Sequence, residues 1–81
     1  MGLNYTIMNI IFDKIKVLKI IEGDSVNISC RNGKTYERCI VRNVPRSQEE
    51  SSIQVEFNHP SIGNSFMNIL LNEIKIIRKI V

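Results

Sequence analysis

The chain has two cysteines, Cys30 and Cys39, and one histidine, His59. They fall short of the four nitrogen or sulfur ligands of a zinc site at standard spacing, so neither a metal nor another cofactor is expected. The thiols could instead close a disulfide, which requires Cα atoms within about 7 Å. His59 has no partner for a catalytic triad, and the chain carries no paired-carboxylate site and no phosphate-binding glycine loop. No enzymatic activity is expected, and His59, which precedes Pro60, reads as a loop residue.

A second group of residues offers binding chemistry. Arg31, Lys34, Arg38, Arg42 and Arg46 fall within residues 31–46 against one carboxylate, Glu37, in a chain of net charge +3. Almost the whole charge excess is therefore local, and Tyr36 stands in its midst. Cations that grip phosphates beside a ring on which a base can stack form a surface for single-stranded nucleic acid. The same charges also suit an acidic protein surface, or simply a solvated strand whose Lys and Arg discourage edge aggregation.

Which of these residues share a face depends on one hairpin. Asn32-Gly33 between alternating stretches predicts a two-residue type I′ turn, because both central positions need positive φ. Pairing then sets Arg31 against Lys34, Cys30 against Thr35, Ile28 against Glu37 and Val26 against Cys39. The core face collects Val26, Ile28, Cys30, Thr35, Cys39 and Val41, with Glu37 as its misfit. The outward face collects Asn27, Ser29, Arg31, Lys34, Tyr36, Arg38 and Arg42, with Ile40 as its misfit. A three-residue loop turns Arg38 and Arg42 inward and is set aside. In the chosen register the two thiols lie about 13 Å apart along the ladder, so both are expected to be free, small, buried hydrophobes.

The remaining elements follow from periodicity. Leu3, Ile7, Ile10, Ile11, Ile15, Leu18 and Ile21 recur at helical intervals, with Asn4 or Thr6 as cap and Gly23 as stop. "KIKVLKI" also alternates partly like a strand, so residues 1–22 read as a helix or a helix plus a strand. "PRSQEESS" at 45–52 is a polar loop, and Ile53, Val55 and Phe57 alternate in a half-buried third strand. "NHPSIGN" breaks the chain through Pro60 and Gly63. Periodicity leaves "SFMNILLNEIKIIRKIV" open between an amphipathic helix and strand, turn, strand.

Length and composition bound the whole. With 81 residues, 43% hydrophobic and 23% charged, the chain is one small globular domain, 1–81, rather than a disordered segment. Ile occurs fifteen times while Ala and Trp are absent, so isoleucine is the default apolar residue and a weak marker of strands. No apolar run approaches the roughly 20 residues of a membrane span, and no membrane association is expected. The first residues do not read as a signal peptide, although "MGLNYT" formally fits a myristoylation pattern at Gly2. A cytoplasmic location, where thiols stay reduced, is the expectation.

Gly23-Asp24-x-Val26-x-Ile28, Asn32-Gly33-Lys34 with Tyr36, Val55-x-Phe57 and "ILLNEIKII" together resemble small five-stranded SH3-like barrels of the Sm-like or Tudor-like kind over residues 23–79. The resemblance implies a mainly β fold with an N-terminal helix, and its short "LNEI" turn before a last strand favours strand, turn, strand over residues 66–79. A helix ahead of such a barrel is most similar to the Sm-like group, which includes bacterial Rho-binding antitermination proteins. Arg38 stands where Sm-like chains usually carry Gly. A Tudor-like aromatic pocket would draw on Tyr36, Phe57 and Phe66, with Cys30 or Arg31 where a further aromatic is usual. "VEFNHPSIGNSF" is similar to a loop of bacterial FKBP-type prolyl isomerases, which would make the chain a fragment-like relative of that enzyme. The leading expectation is a non-enzymatic module binding RNA or single-stranded DNA through Arg31, Lys34, Tyr36, Arg38 and Arg42. The alternative is a module binding an acidic surface of a transcription-related protein. Self-association through the Ile-rich ends is a further expectation.

Overall fold

The computed structural model describes residues 3–47 and 49–80. A helix, α1 (Leu3–Val17), precedes β1 (Ser25–Cys30), β2 (Thr35–Asn43), β3 (Ser52–His59), β4 (Gly63–Leu70), a 3-10 turn (Leu71–Glu73) and β5 (Ile74–Ile80). The strands form one antiparallel sheet of order β4-β3-β2-β1-β5. The first four strands make a meander, and the 3-10 turn returns the chain so that β5 pairs with the free side of β1. The mainly β, five-stranded architecture with an N-terminal helix matches the expectation from sequence, and residues 66–79 are strand, turn, strand. The myristoylation pattern at Gly2 lies outside the described residues. Among the described residues no helix is long and apolar enough to cross a membrane.

Alternation explains β1 to β3, and in β5 a bulge at Lys75 sets Ile74 and Ile77, three residues apart, on the same buried side. Val26 and Ile28 of β1, Val41 of β2, Ile53 and Val55 of β3 and Ile74 and Ile77 of β5 are almost wholly buried, and each such side chain contributes roughly 1.5–3 kcal/mol through burial. Leu71 of the 3-10 turn joins them, and its backbone N–H donates to Ser51 O at 2.8 Å, fastening the turn to the start of β3.

The helix presents a slightly different face from the expected one. Ile11, Phe12 and Ile15 are buried, with Met8 and Leu18 packed beside them, whereas Ile10 is 59% and Ile21 62% exposed. Positions 8, 11, 12 and 15 form a proper helical stripe and include the large ring of Phe12. The wealth of isoleucine obscured that choice. The helix also begins at Leu3, so Asn4 and Thr6 lie within it rather than at its cap.

Its end is set by Lys19 rather than Gly23. Lys19 N–H donates to Lys16 O and Ile20 N–H to Ile15 O, both at 3.0 Å, with Lys19 at φ 55°. This is the double bond of a Schellman motif, and its hydrophobic contact pairs buried Ile15 with buried Ile20. Lysine in this left-handed position costs on the order of 1 kcal/mol, offset by the burial of Ile20. α1 thereby rests on the 3-10 turn and β5.

Candidate nucleic-acid interface

The hairpin of β1 and β2 holds most of the cations, and its geometry departs from the expected turn. Cys30 N–H donates to Lys34 O at 2.8 Å and Gly33 N–H to Cys30 O at 3.1 Å, leaving Arg31, Asn32 and Gly33 as a three-residue loop. Only Gly33, at φ 90°, takes up the left-handed region. Asn32 instead turns its side chain on the backbone, its Oδ1 accepting Lys34 N–H at 3.0 Å. That Asx turn does locally what a left-handed Asn32 would have done in a type I′ turn. Arg31 N–H donates to Glu73 O at 2.8 Å, so the loop is tied to the 3-10 turn.

The rejected loop length does not turn Arg38 and Arg42 inward, because a bulge restores the register. Ser29 faces Thr35 and Ile28 faces Tyr36, yet Val26 faces Cys39 as expected. Between these pairs β1 has one residue, Asn27, against two in β2, Glu37 and Arg38. Arg38 adopts φ 53°, and its N–H donates to Asn27 Oδ1 at 2.8 Å. Bulges of this kind re-aim side chains next to them.

The consequence is an inversion of residues 34–37. Thr35 and Glu37 join the outward face, and Lys34 and Tyr36 move to the side of Ile28 and Cys30. Tyr36 is therefore corrected from an outward ring to a half-buried one. It packs on the core with its ring centroid 5.9 Å from that of Phe57 at a 59° tilt. The misfit of Glu37 in the simple register was the signal for this bulge: a lone carboxylate on a core face is costly, and one extra residue removes it.

The five cations do not form one continuous face. Arg31, Lys34 and Arg38 are exposed and make no ion pair among the described residues. Arg42, at a second irregularity of the ladder between Val41 and Asn43, is engaged by Glu56, whose Oε1 lies 2.7 Å from its Nε and 2.6 Å from a terminal nitrogen. Arg46 gives its backbone N–H to the Glu50 carboxylate. The aromatic set also divides. Phe57 meets Tyr36, but Phe66 pairs across the ladder with Glu56 and is 62% exposed on the opposite face. Tyr36, Phe57 and Phe66 therefore do not line one pocket, since adjacent positions on a strand point to opposite sides.

Cys30 and Cys39 are free and buried, and burial pushes both thiols above their ordinary range, with Glu73 adding to the rise at Cys30 and Lys34 opposing it. His59 Nδ1 accepts Ser61 N–H at 3.1 Å and so serves the turn between β3 and β4. Among the described residues no three His, Cys, Asp or Glu side chains gather into a metal-binding group. The chain matches no family model, no curated protein and no solved structure.

Proposed function

We propose that the chain is a non-enzymatic module that binds single-stranded nucleic acid, RNA or DNA, along the tip and bulge of the β1–β2 hairpin. The observation that carries this reading is the trio Arg31, Lys34 and Arg38, exposed and unpaired among the described residues on a backbone held at two points. A fixed backbone lowers the ordering cost of gripping a flexible strand. Tyr36 serves as an aromatic rim beside Lys34 rather than as an open stacking platform. Arg42 is outside the contact set because Glu56 already neutralises it. A five-stranded antiparallel sheet with a 3-10 turn before β5 is compatible with the SH3-like, Sm-like resemblance of the sequence.

The test is the salt dependence of binding to a short oligouridylate. Three phosphate contacts on a single strand give a slope of log K against log[salt] no steeper than about −2. Replacing Arg31, Lys34 and Arg38 together with Gln should abolish binding at low salt. An oligonucleotide bound equally well by that triple variant overturns the assignment.

A second reading rests on a separate observation. Phe66 and Leu70 are exposed at 62% and 42% on β4, an edge strand of the sheet. An exposed apolar pair on an open edge suits contact with another protein, including a second copy of this chain. Recovery of a protein partner that survives nuclease and is lost with Phe66→Ser would favour it.

A further inference from the structure

The inversion of residues 34–37 builds a cleft of about 240 Å³ on the outward face of β2, β1 and β5. Two rows of side chains line it. Glu37, Asn27 and Arg78 form one, with Asn27 facing Arg78 across the ladder, and Thr35, Ser29 and Ile76 form the other, with Ser29 between its two partners. The rows are two residues apart, about 6.6 Å, and Glu37 and Arg78 stand two strand spacings apart, roughly 10 Å at Cα. Neither charge is neutralised by an ion pair among the described residues. The cleft is smaller than the roughly 300–1,000 Å³ pockets that take drug-sized ligands, which directs attention to a single planar ring.

The hydrogen-bonding sense of the first row is fixed. Glu37 can only accept while ionised, and Arg78 can only donate. Asn27 would ordinarily be ambiguous, but its Oδ1 is occupied by Arg38 N–H at 2.8 Å, which leaves its amide nitrogen as the free group, a donor. The row therefore reads acceptor, donor, donor. Its complement is a base edge that reads donor, acceptor, acceptor. Cytosine presents that edge, through its amino group, N3 and O2. Adenine offers only the first two, uracil begins with an acceptor, and guanine reverses the pattern with its carbonyl followed by two donors. Thr35 and Ile76 of the second row add methyl groups to the lining on which such a ring could rest.

We propose that this cleft holds one unstacked cytosine of the bound strand, with its amino group on Glu37, N3 on Asn27 and O2 on Arg78. The proposal rests on the nucleic-acid reading above, and it adds a base preference that the phosphate-gripping cations cannot supply. Arg38 stands beside the cleft because the same bulge positions both, so a phosphate held by Arg38 would deliver the adjoining base to Asn27.

Oligouridylates carrying a single C, A or G test it by fluorescence anisotropy at constant low salt. The C-containing strand should bind about tenfold tighter than oligouridylate, with A intermediate. Glu37→Gln should narrow the advantage of C over U, because the Gln amide can donate to the uracil O4 while Asn27 still opposes the uracil N3–H, and the salt slope should stay the same. Arg78→Met, which leaves no donor for O2, should bring C down to the level of A. Both residues are exposed, so the fold should persist, which an amide NMR spectrum checks. In that spectrum cytidine monophosphate should shift Asn27, Ser29 and Thr35. Equal affinity for all four strands, or a C preference indifferent to both substitutions, overturns the cytosine site and leaves the hairpin reading intact. No affinity for any strand sinks both.

Discussion

Arg38 gives its backbone N–H to the side-chain oxygen of Asn27 across the β1–β2 ladder, at 2.8 Å and eleven residues away in sequence. That single bond lets a bulky residue occupy φ 53°, returns the register to Val26 opposite Cys39, and orients the Asn27 amide. Removing the bond and relieving the backbone should therefore act in opposite directions. Asn27→Ala should cost about 1 kcal/mol in urea unfolding, the usual loss for one hydrogen bond. Arg38→Gly should be neutral or stabilising by up to about 1 kcal/mol, because glycine meets no penalty at positive φ. The glycine variant should nonetheless bind oligonucleotide more weakly, which separates the residue's strain from its charge. A glycine variant that is clearly destabilised would show that the Arg38 side chain holds the bulge.

The ion pair of Arg42 with Glu56 divides the cations into engaged and free. Its two side chains are 41% and 16% accessible, so its net worth to stability is modest, within about 1 kcal/mol. Arg42→Gln should leave the salt slope of nucleic-acid binding unchanged, whereas Arg38→Gln should flatten it by about 0.7, the contribution of one single-strand phosphate. Glu56→Gln should free Arg42 and steepen the slope by a similar amount. If Arg42→Gln flattens the slope as much as Arg38→Gln does, the pair opens on binding.

How much of this was legible beforehand can be judged from particular residues. The alternation of Val26, Ile28, Ile53 and Val55 gave the strands, and the Asn32-Gly33 pair marked the hairpin. The turn type was not legible, because Asn32 satisfies the turn either by its own positive φ or by its side chain, and three residues differ from two by a single step. One bulge then compensates the other shift, so Val26 still meets Cys39 although everything between them is displaced. Pattern reading tracks faces by parity and is blind to two cancelling irregularities. Glu37 stranded on a core face was the available clue. The partnership of Arg42 with Glu56, fourteen residues apart, depends on strand pairing that no local pattern specifies.

The buried thiols make stability sensitive to alkali. Burial raises both above the ordinary thiol range, so the folded state binds protons that the unfolded chain would release. The stabilising contribution is complete below the unfolded value of about 8.5 and is lost as pH rises through the higher folded values. Urea unfolding at pH 7.5 and pH 9.5 should show the decline, and Cys39→Ala should lessen it while lowering stability overall. In the native protein a thiol reagent should react slowly, and both cysteines should react at once in denaturant. An intramolecular bridge found in the unreduced chain would contradict the register of Val26 with Cys39.

Asp24 closes the molecule at the other end of β1. Its Oδ2 accepts Ile21 N–H at 2.9 Å and lies 3.3 Å from Lys79 Nζ, which also donates to Lys19 O at 3.0 Å. The backbone bond from Ile21 is the chief cause holding the Asp24 carboxyl below its usual range, with Lys79 assisting and partial desolvation opposing. A depressed carboxyl stabilises the fold fully above the unfolded aspartate value of about 3.9 and loses that contribution as pH falls through the lower folded value. Asp24→Asn should therefore be less stable than the parent at neutral pH, with the gap closing in acid as the parent's own carboxyl becomes protonated. Lys79→Met should weaken the same pH dependence only in part, because the Ile21 N–H remains. Thermal unfolding of the three proteins between pH 2 and pH 7 measures this directly. A gap that stays constant across that range would mean that Asp24 acts through the shape of its turn and not through its charge.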